Sequence, residues 1–397
     1  MGQMDDLLRL LKDHGGSDLH LSSGVLPRLR KRGGLEDIAG QPVLTDGALA
    51  ALLQQITPPD VWANFERAND VDYAYALPGV ARFRVNLFRQ EFGRAAVMRI
   101  IPEKIIPLED LKLPPVVESL AHTRDGLVLV TGPTGSGKST TLASIINKIN
   151  RTYSKHIVTI EDPVEFVHQN ERCIFSHREV GRHTKGFAPA LRAAIRQDAD
   201  VLLVGEMRDH ETISLALTAA EMGLLVFGTL HTNSAAKTID RLVDAFPATQ
   251  QAQARLSLSE SLYGIVSQLL VPTADGKGRA AATEILVRTA GLPNIIREGN
   301  TAMLYSIIQA GRSQGMQTMD QCLLDLVGRK TITFEEAYGR ALDKQTFERA
   351  VKQASELAGT SPSGPPAAPA GGAPGTPPAP PPPASPNKSG VFRRPPS

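Results

Sequence analysis

Of 397 residues only two are cysteine and one is tryptophan. Cys173 and Cys322 are too few for a disulfide framework or a four-thiolate zinc site, and both read as buried small apolar residues. An excess of one charge is missing too. The 43 basic and 41 acidic residues leave a net +2, which makes no electrostatic case for nucleic acid or an anionic membrane surface. No apolar run approaches the roughly 18 residues of a membrane span. The segment from Met1 to Lys12 carries Asp5 and Asp6 and does not read as a signal peptide. These absences favour a cytosolic chain whose membrane contacts come through a partner.

What is present is a phosphate loop. Gly132-Pro133-Thr134-Gly135-Ser136-Gly137-Lys138-Ser139 fits G-x-x-x-x-G-K-[ST], between an apolar strand at 126–131 and a helix that starts with Thr140. Its glycines let backbone N–H groups turn inward around phosphate. Lys138 offers a cation to the β- and γ-phosphates, and the Ser139 hydroxyl can ligate Mg²⁺. The expected nucleotide-binding set runs from Gly132 to Thr140.

Around the loop, strand and helix patterns alternate. Strands are expected at 127–131, 157–160, 201–204 and 225–230, and the last two are nearly all apolar, as for a parallel sheet covered on both faces. After about Thr289 the pattern turns helical, at 292–297, 301–311, 318–327 and 334–341. The first hundred or so residues read as a separate, smaller α/β domain. It has helices at 4–11 and 46–56, a strand at 18–21, and strands at 72–75 and 81–88 paired around the Leu77-Pro78-Gly79 turn. The end of the chain, 359–397, is dominated by Pro, Ala, Gly and Ser and reads as disordered, partly polyproline II. Its tip, Val391-Phe392-Arg393-Arg394, is either an untethered end or a short docking peptide.

A phosphate loop needs acidic partners for Mg²⁺ and the attacking water. Two apolar strands deliver them: one ends in Glu206, the other in Glu161-Asp162. An acid after a strand can equally cap a helix. Two in one sheet, both following a phosphate loop, point to hydrolysis. Glu206 is expected as the main catalytic carboxylate and as a water-mediated Mg²⁺ partner beside Ser139, with Glu161 assisting. His231, just past the fourth strand, is a candidate γ-phosphate sensor. In Arg82-Phe83-Arg84-Val85-Asn86-Leu87, period-2 alternation sets Arg82, Arg84 and Asn86 opposite the apolar side chains. That face is either solvated or meets an anion, and a transition state rich in phosphate charge gains from added arginine.

Taken together these motifs resemble the secretion-type ATPases that power type IV pili and type II and IV secretion, most of all their pilus-retraction branch. The resemblance is carried by 17–21, 82–86, the phosphate loop, 159–165, 178–181, 203–209 and 229–235. Asn294-Ile295-Ile296-Arg297-Glu298-Gly299 resembles the motif this branch needs for retraction. The resemblance implies a PAS-like domain with its connector at 1–110 and a RecA-like ATPase domain with a helical subdomain at 111–358. It further implies a hexameric ring, ATP and Mg²⁺ as cofactors, and ATP between the two domains within reach of Arg82, Arg84 and Arg89. The implied partner is the inner-membrane platform protein of the pilus machine, with a paralogous retraction ATPase as a second. Three positions depart from the family pattern: Leu224 replaces a histidine, Ala199 a proline and His177 a glutamine. With Leu224 the histidine box reads as half complete. That leaves open an accessory, weakly hydrolysing ring beside a main motor. A pilus or type II assembly ATPase is the third reading, but such proteins commonly carry a four-cysteine module, which this chain lacks.

Overall fold

The computed structural model describes residues 2–31, 34–101 and 104–357, the last five without their side chains. The Pro-rich 359–397 stretch, expected to be disordered, lies outside the described residues. The described residues up to Ala350 form a first compact unit, and a second begins at Val351.

Two sheets organise the first unit. The smaller comprises β1 (Asp18–Ser22), β2 (Arg28–Lys31), β3 (Gly34–Asp37), β4 (Asp70–Leu77), β5 (Ala81–Gln90) and β6 (Gly93–Ile101). Their order is β3-β2-β1-β6-β5-β4, antiparallel throughout. Leucines of the helices Gln3–Asp13 and Asp46–Gln54 join Leu19, Leu21, Phe83, Val85 and Leu87 in one core. Phe83, Val85 and Leu87 are fully buried, so the strand period forces Arg82 and Arg84 onto the opposite face.

The larger sheet holds β7 (Gly126–Thr131), β8 (His156–Glu161), β9 (Ile174–Glu179), β10 (Val201–Val204), β11 (Leu225–Leu230), β12 (Leu262–Pro272) and β13 (Arg279–Val287). Its order is β13-β12-β7-β11-β10-β8-β9. All pairs are parallel except the β12–β13 hairpin. The four expected strands are present, and every residue of β7, β10 and β11 is buried. The sequence reading missed β9, β12 and β13. Polar Ser267 and Gln268 interrupt the apolar run of β12, and β9 mixes His177, Arg178 and Glu179 into its pattern. The expected helix over 301–311 is broken into a 3₁₀ turn, Thr301–Met303, and the helix Leu304–Ala310. Thr318 and Gln321 close a capping box on the helix Met319–Gly328. No helix among the described residues is long and apolar enough to cross a membrane. The architecture is α/β: a phosphate-loop sheet of mostly parallel strands preceded by a smaller α/β layer.

Candidate nucleotide-binding and hydrolysis site

β7 runs straight into the phosphate loop, at the carboxyl edge of the parallel strands. Gly132 has φ +145°, and a Cβ there would sit 2.3 Å from the Gln268 carbonyl oxygen, so both conformation and space demand glycine. Gly137, at φ +90°, starts the helix Lys138–Thr152, whose first N–H groups lack intrahelical partners and face the loop end. The Lys138 ammonium donates to the Gly132 carbonyl at 2.8 Å and the Pro133 carbonyl at 3.1 Å. Burial lowers its pKa, while the charges of Glu206 and Glu165 pull the other way. A phosphate oxygen meeting this ammonium would replace neutral carbonyl partners by charge-assisted ones.

β8 and β10 are neighbours, in register Ile160 with Val204, and so deliver Glu161 and Glu206 to the same edge. Gly205 allows the approach, because a Cβ there would lie 3.2 Å from the Glu161 Cα. The competing role of helix cap falls to Asp209, whose side chain accepts the Thr212 N–H at 2.9 Å. Glu206 is held elsewhere. The Arg208 guanidinium grips both its oxygens at 2.6 Å, and His231 Nε2 lies 3.2 Å from Oε1. Burial raises the Glu206 pKa, but Arg208 and His231 outweigh it and leave the carboxylate below its ordinary range. The arrangement gives an ionised acceptor beside an imidazole, which can orient a water molecule.

Glu161 differs. Burial pushes its carboxyl up to about 7, despite the Glu165 N–H donating to Oε2 at 3.2 Å. The folded pKa is thus raised above the ordinary 4.5, and between those values the folded state holds more protons than the unfolded one. Stability of the nucleotide-free protein therefore falls as pH rises from about 4.5 through about 7, by roughly 3 kcal/mol in all. Glu161→Gln should melt at a higher temperature than wild type at about pH 8 and at an equal one at about pH 4. Melting curves that differ by the same amount at both pH values would contradict this. A cavity of about 30 Å³ separates Ser139, Glu161, Gly205 and Thr229. That is room for one or two waters.

β5 carries its arginines to the same acidic region. Arg82 Nη2 lies 3.8 Å from Glu179 Oε2, and its charge reaches Glu161; its Nη1 is buried with no hydrogen-bond partner. Arg84 lies 3.6 Å from Asp72, and its charge reaches Asp162. Arg89 is not brought to this region. It projects from the opposite face of β5, paired with Glu66 and stacked 5.4 Å over Phe65. Leu224 is also elsewhere. It precedes β11 at the amino edge of the sheet, where its carbonyl accepts the Gly126 N–H at 3.1 Å. Six strand residues, about 20 Å, separate it from His231, so the two positions do not form one box within a chain. Ala199 packs half-buried against the core, and His177 stacks on Phe175 at 5.3 Å. The Asn294–Gly299 segment forms most of the helix Leu292–Glu298, with Gly299 as its left-handed cap and Ile296 buried against the helix Gln251–Ser261. Cys173 and Cys322 are buried free thiols.

Three residues of the site escaped sequence reasoning. Arg208 clamps Glu206; its spacing two residues past the acid was the available signal. Glu284, on β13, is buried and accepts the Ala235 N–H at 2.8 Å, anchoring the helix Ala235–Asp244 that follows the His231 turn. Gln268 braces the loop from below, and an amide within an apolar strand was its only mark. For Mg²⁺, no group of three or more His, Cys, Asp or Glu side chains among the described residues can hold a metal. A hydroxyl and one or two carboxylates beside a phosphate loop fit a cation that Mg²⁺-style binding shares with substrate phosphates and water.

Comparison with known proteins agrees with this geometry. Residues 66–355 match the family model for type II/IV secretion system proteins. The type IV pilus retraction ATPase PilT of Pseudomonas aeruginosa is 50% identical over 342 residues, covering 86% of this chain and 99% of that protein. The type IV pilus ATPase PilU of the same organism is 38% identical over 354 residues, covering 89% and 92%. A crystal structure of the pilus retraction motor PilT with bound ADP matches at a TM-score of 0.81 and 43% identity, covering 88% of this chain and 99% of that one. A phosphate loop flanked by strand-end carboxylates, in a chain this similar along its length, belongs to the type II/IV secretion system family of ATPases.

Proposed function

We propose that this protein is a hexameric motor that hydrolyses ATP to withdraw type IV pili and so drives twitching motility. The observation that carries the reading is the Glu206–His231 pair, 3.2 Å apart beside the phosphate loop, in a chain half identical to a retraction ATPase over nearly all of that protein. Lys138 would leave the Gly132 and Pro133 carbonyls for the β- and γ-phosphates, while the loop N–H groups take the remaining oxygens. Glu206 orients the attacking water, and His231 stands where it can follow the departing phosphate. Mg²⁺, held by Ser139 and through water by Glu206, would neutralise phosphate charge. The spare Nη1 donor of Arg82 and the exposed Arg84 supply further positive charge once nucleotide lies between the 1–110 and 111–358 domains. Exchange of Arg82 from Glu179 to phosphate couples occupancy to domain closure.

In the ring, closure would be passed to the inner-membrane platform protein, placing the motor at the cytoplasmic base of the pilus. The Asn294–Gly299 segment would act in that transfer. The accessory-ring reading loses its main sequence motive, since Leu224 sits far from the loop. A strain lacking the protein should keep its pili, lose retraction under the microscope and stop spreading on surfaces. Retraction that continues at the wild-type rate would refute the main-motor assignment.

A further inference from the structure

Gln268 lies inside β12 at 3% exposure, directly beneath the phosphate loop. Its Nε2–H donates to the Ser136 carbonyl at 2.7 Å, and its Oε1 accepts from the Thr141 hydroxyl at 2.8 Å. The two bonds fix the amide's orientation, since turned over it would set oxygen against the Ser136 carbonyl oxygen. They also fix the loop. In a trans peptide the C=O and the following N–H point opposite ways, so a Ser136 carbonyl held downward turns the Gly137 N–H upward, to the phosphate side. Gly137 makes the approach possible: a Cβ there would lie 2.7 Å from Gln268 Nε2. The Gln268 main chain packs equally tightly under Gly132, and the neighbouring Ser267 hydroxyl pairs with Thr131 at 2.9 Å. One residue thus touches both ends of the loop and the first turn of its helix.

We infer that Gln268 is a positioning residue for nucleotide binding: it aims the Gly137 N–H at the phosphates and locks the loop to the helix Lys138–Thr152. It touches no substrate and acts through the loop. The inference rests on the nucleotide-binding reading above.

Gln268→Met keeps the side chain's length and removes both bonds. The expected result is an ADP dissociation constant about tenfold higher, a KM for ATP raised in step, and a kcat lowered by no more than about threefold. The nucleotide-free melting temperature should stay within a few degrees of wild type. Thr141→Val removes one of the two bonds and should weaken ADP by about threefold. The double variant should bind no worse than Gln268→Met alone, because the shared contact is already gone. A folded Gln268→Met with wild-type ADP affinity, or with reduced kcat and unchanged KM, overturns the assignment. If Gln268→Met does not fold, wild-type ADP affinity in Thr141→Val overturns it instead. Wild-type protein that binds no ADP at all would remove the nucleotide-binding reading itself, a result distinct from these.

Discussion

Glu206→Gln is expected to bind ATP nearly as well as wild type and to hydrolyse it about 10²–10⁴-fold more slowly. The substitution keeps shape and removes charge. In the wild type, Arg208 takes both carboxylate oxygens and His231 adds a contact at 3.2 Å to one of them. A glutamine offers one acceptor and one NH₂, so its donor would face an Arg208 N–H in either orientation, and the water-orienting lone pair is lost. On the proposed reading binding is largely spared, because Lys138 and the loop N–H groups would form the direct phosphate contacts and Glu206 would reach Mg²⁺ only through water. ATP affinity from a fluorescent-analogue titration and single-turnover hydrolysis separate the two effects. Turnover within about tenfold of wild type would move the catalytic role to another group, with Glu161 the first candidate.

Lys138→Ala is the complementary case, with loss at the binding step. The ammonium reaches over the loop itself, and its present bonds are to carbonyls that a phosphate would displace. A charge-assisted hydrogen bond to phosphate contributes about 1.5–3 kcal/mol, so affinity for ATP and ADP should fall by about 10–100-fold, and hydrolysis should vanish at ordinary nucleotide concentrations. The loop should survive, since its shape depends on Gly132, Gly137 and the Gln268 brace. Calorimetric titration with ADP decides the matter. Unaltered affinity would mean that the side chain stays on the Gly132 and Pro133 carbonyls when nucleotide binds. The two variants thus divide the cycle: one should stall loaded, the other empty.

Much of this was legible in sequence because the decisive signals are local. The phosphate loop is contiguous, and each carboxylate follows an apolar strand whose pattern announces it. Alternation along β5 gave the arginine face without any structure. Other features depend on which strands become neighbours. Gln268 lies 132 residues from Ser136 and meets it only because β12 pairs with β7. Glu284 meets Ala235 across 49 residues for the same kind of reason. Arg89 misled because it shares a strand with Arg82 and Arg84 but not their parity. The edge strand β13 and the polar residues inside β12 hid the hairpin, since a buried amide reads as a break in an apolar run.

Strand β11 illustrates a wider point about motifs written as a line of letters. Its six residues are buried along their whole length, with the residue before it at one rim of the sheet and His231 just past the other. A close-packed strand of this kind behaves as a stiff rod, so displacement at one rim must appear at the opposite one. The histidine-box segment is therefore two stations on one rod rather than one site with a missing half. The station at His231 is the one that meets Glu206, at 3.2 Å. The station at Leu224 lies at the far rim, where its carbonyl holds the Gly126 N–H, so an aliphatic side chain in place of a polar ring changes that rim and leaves the Glu206–His231 pair as it is.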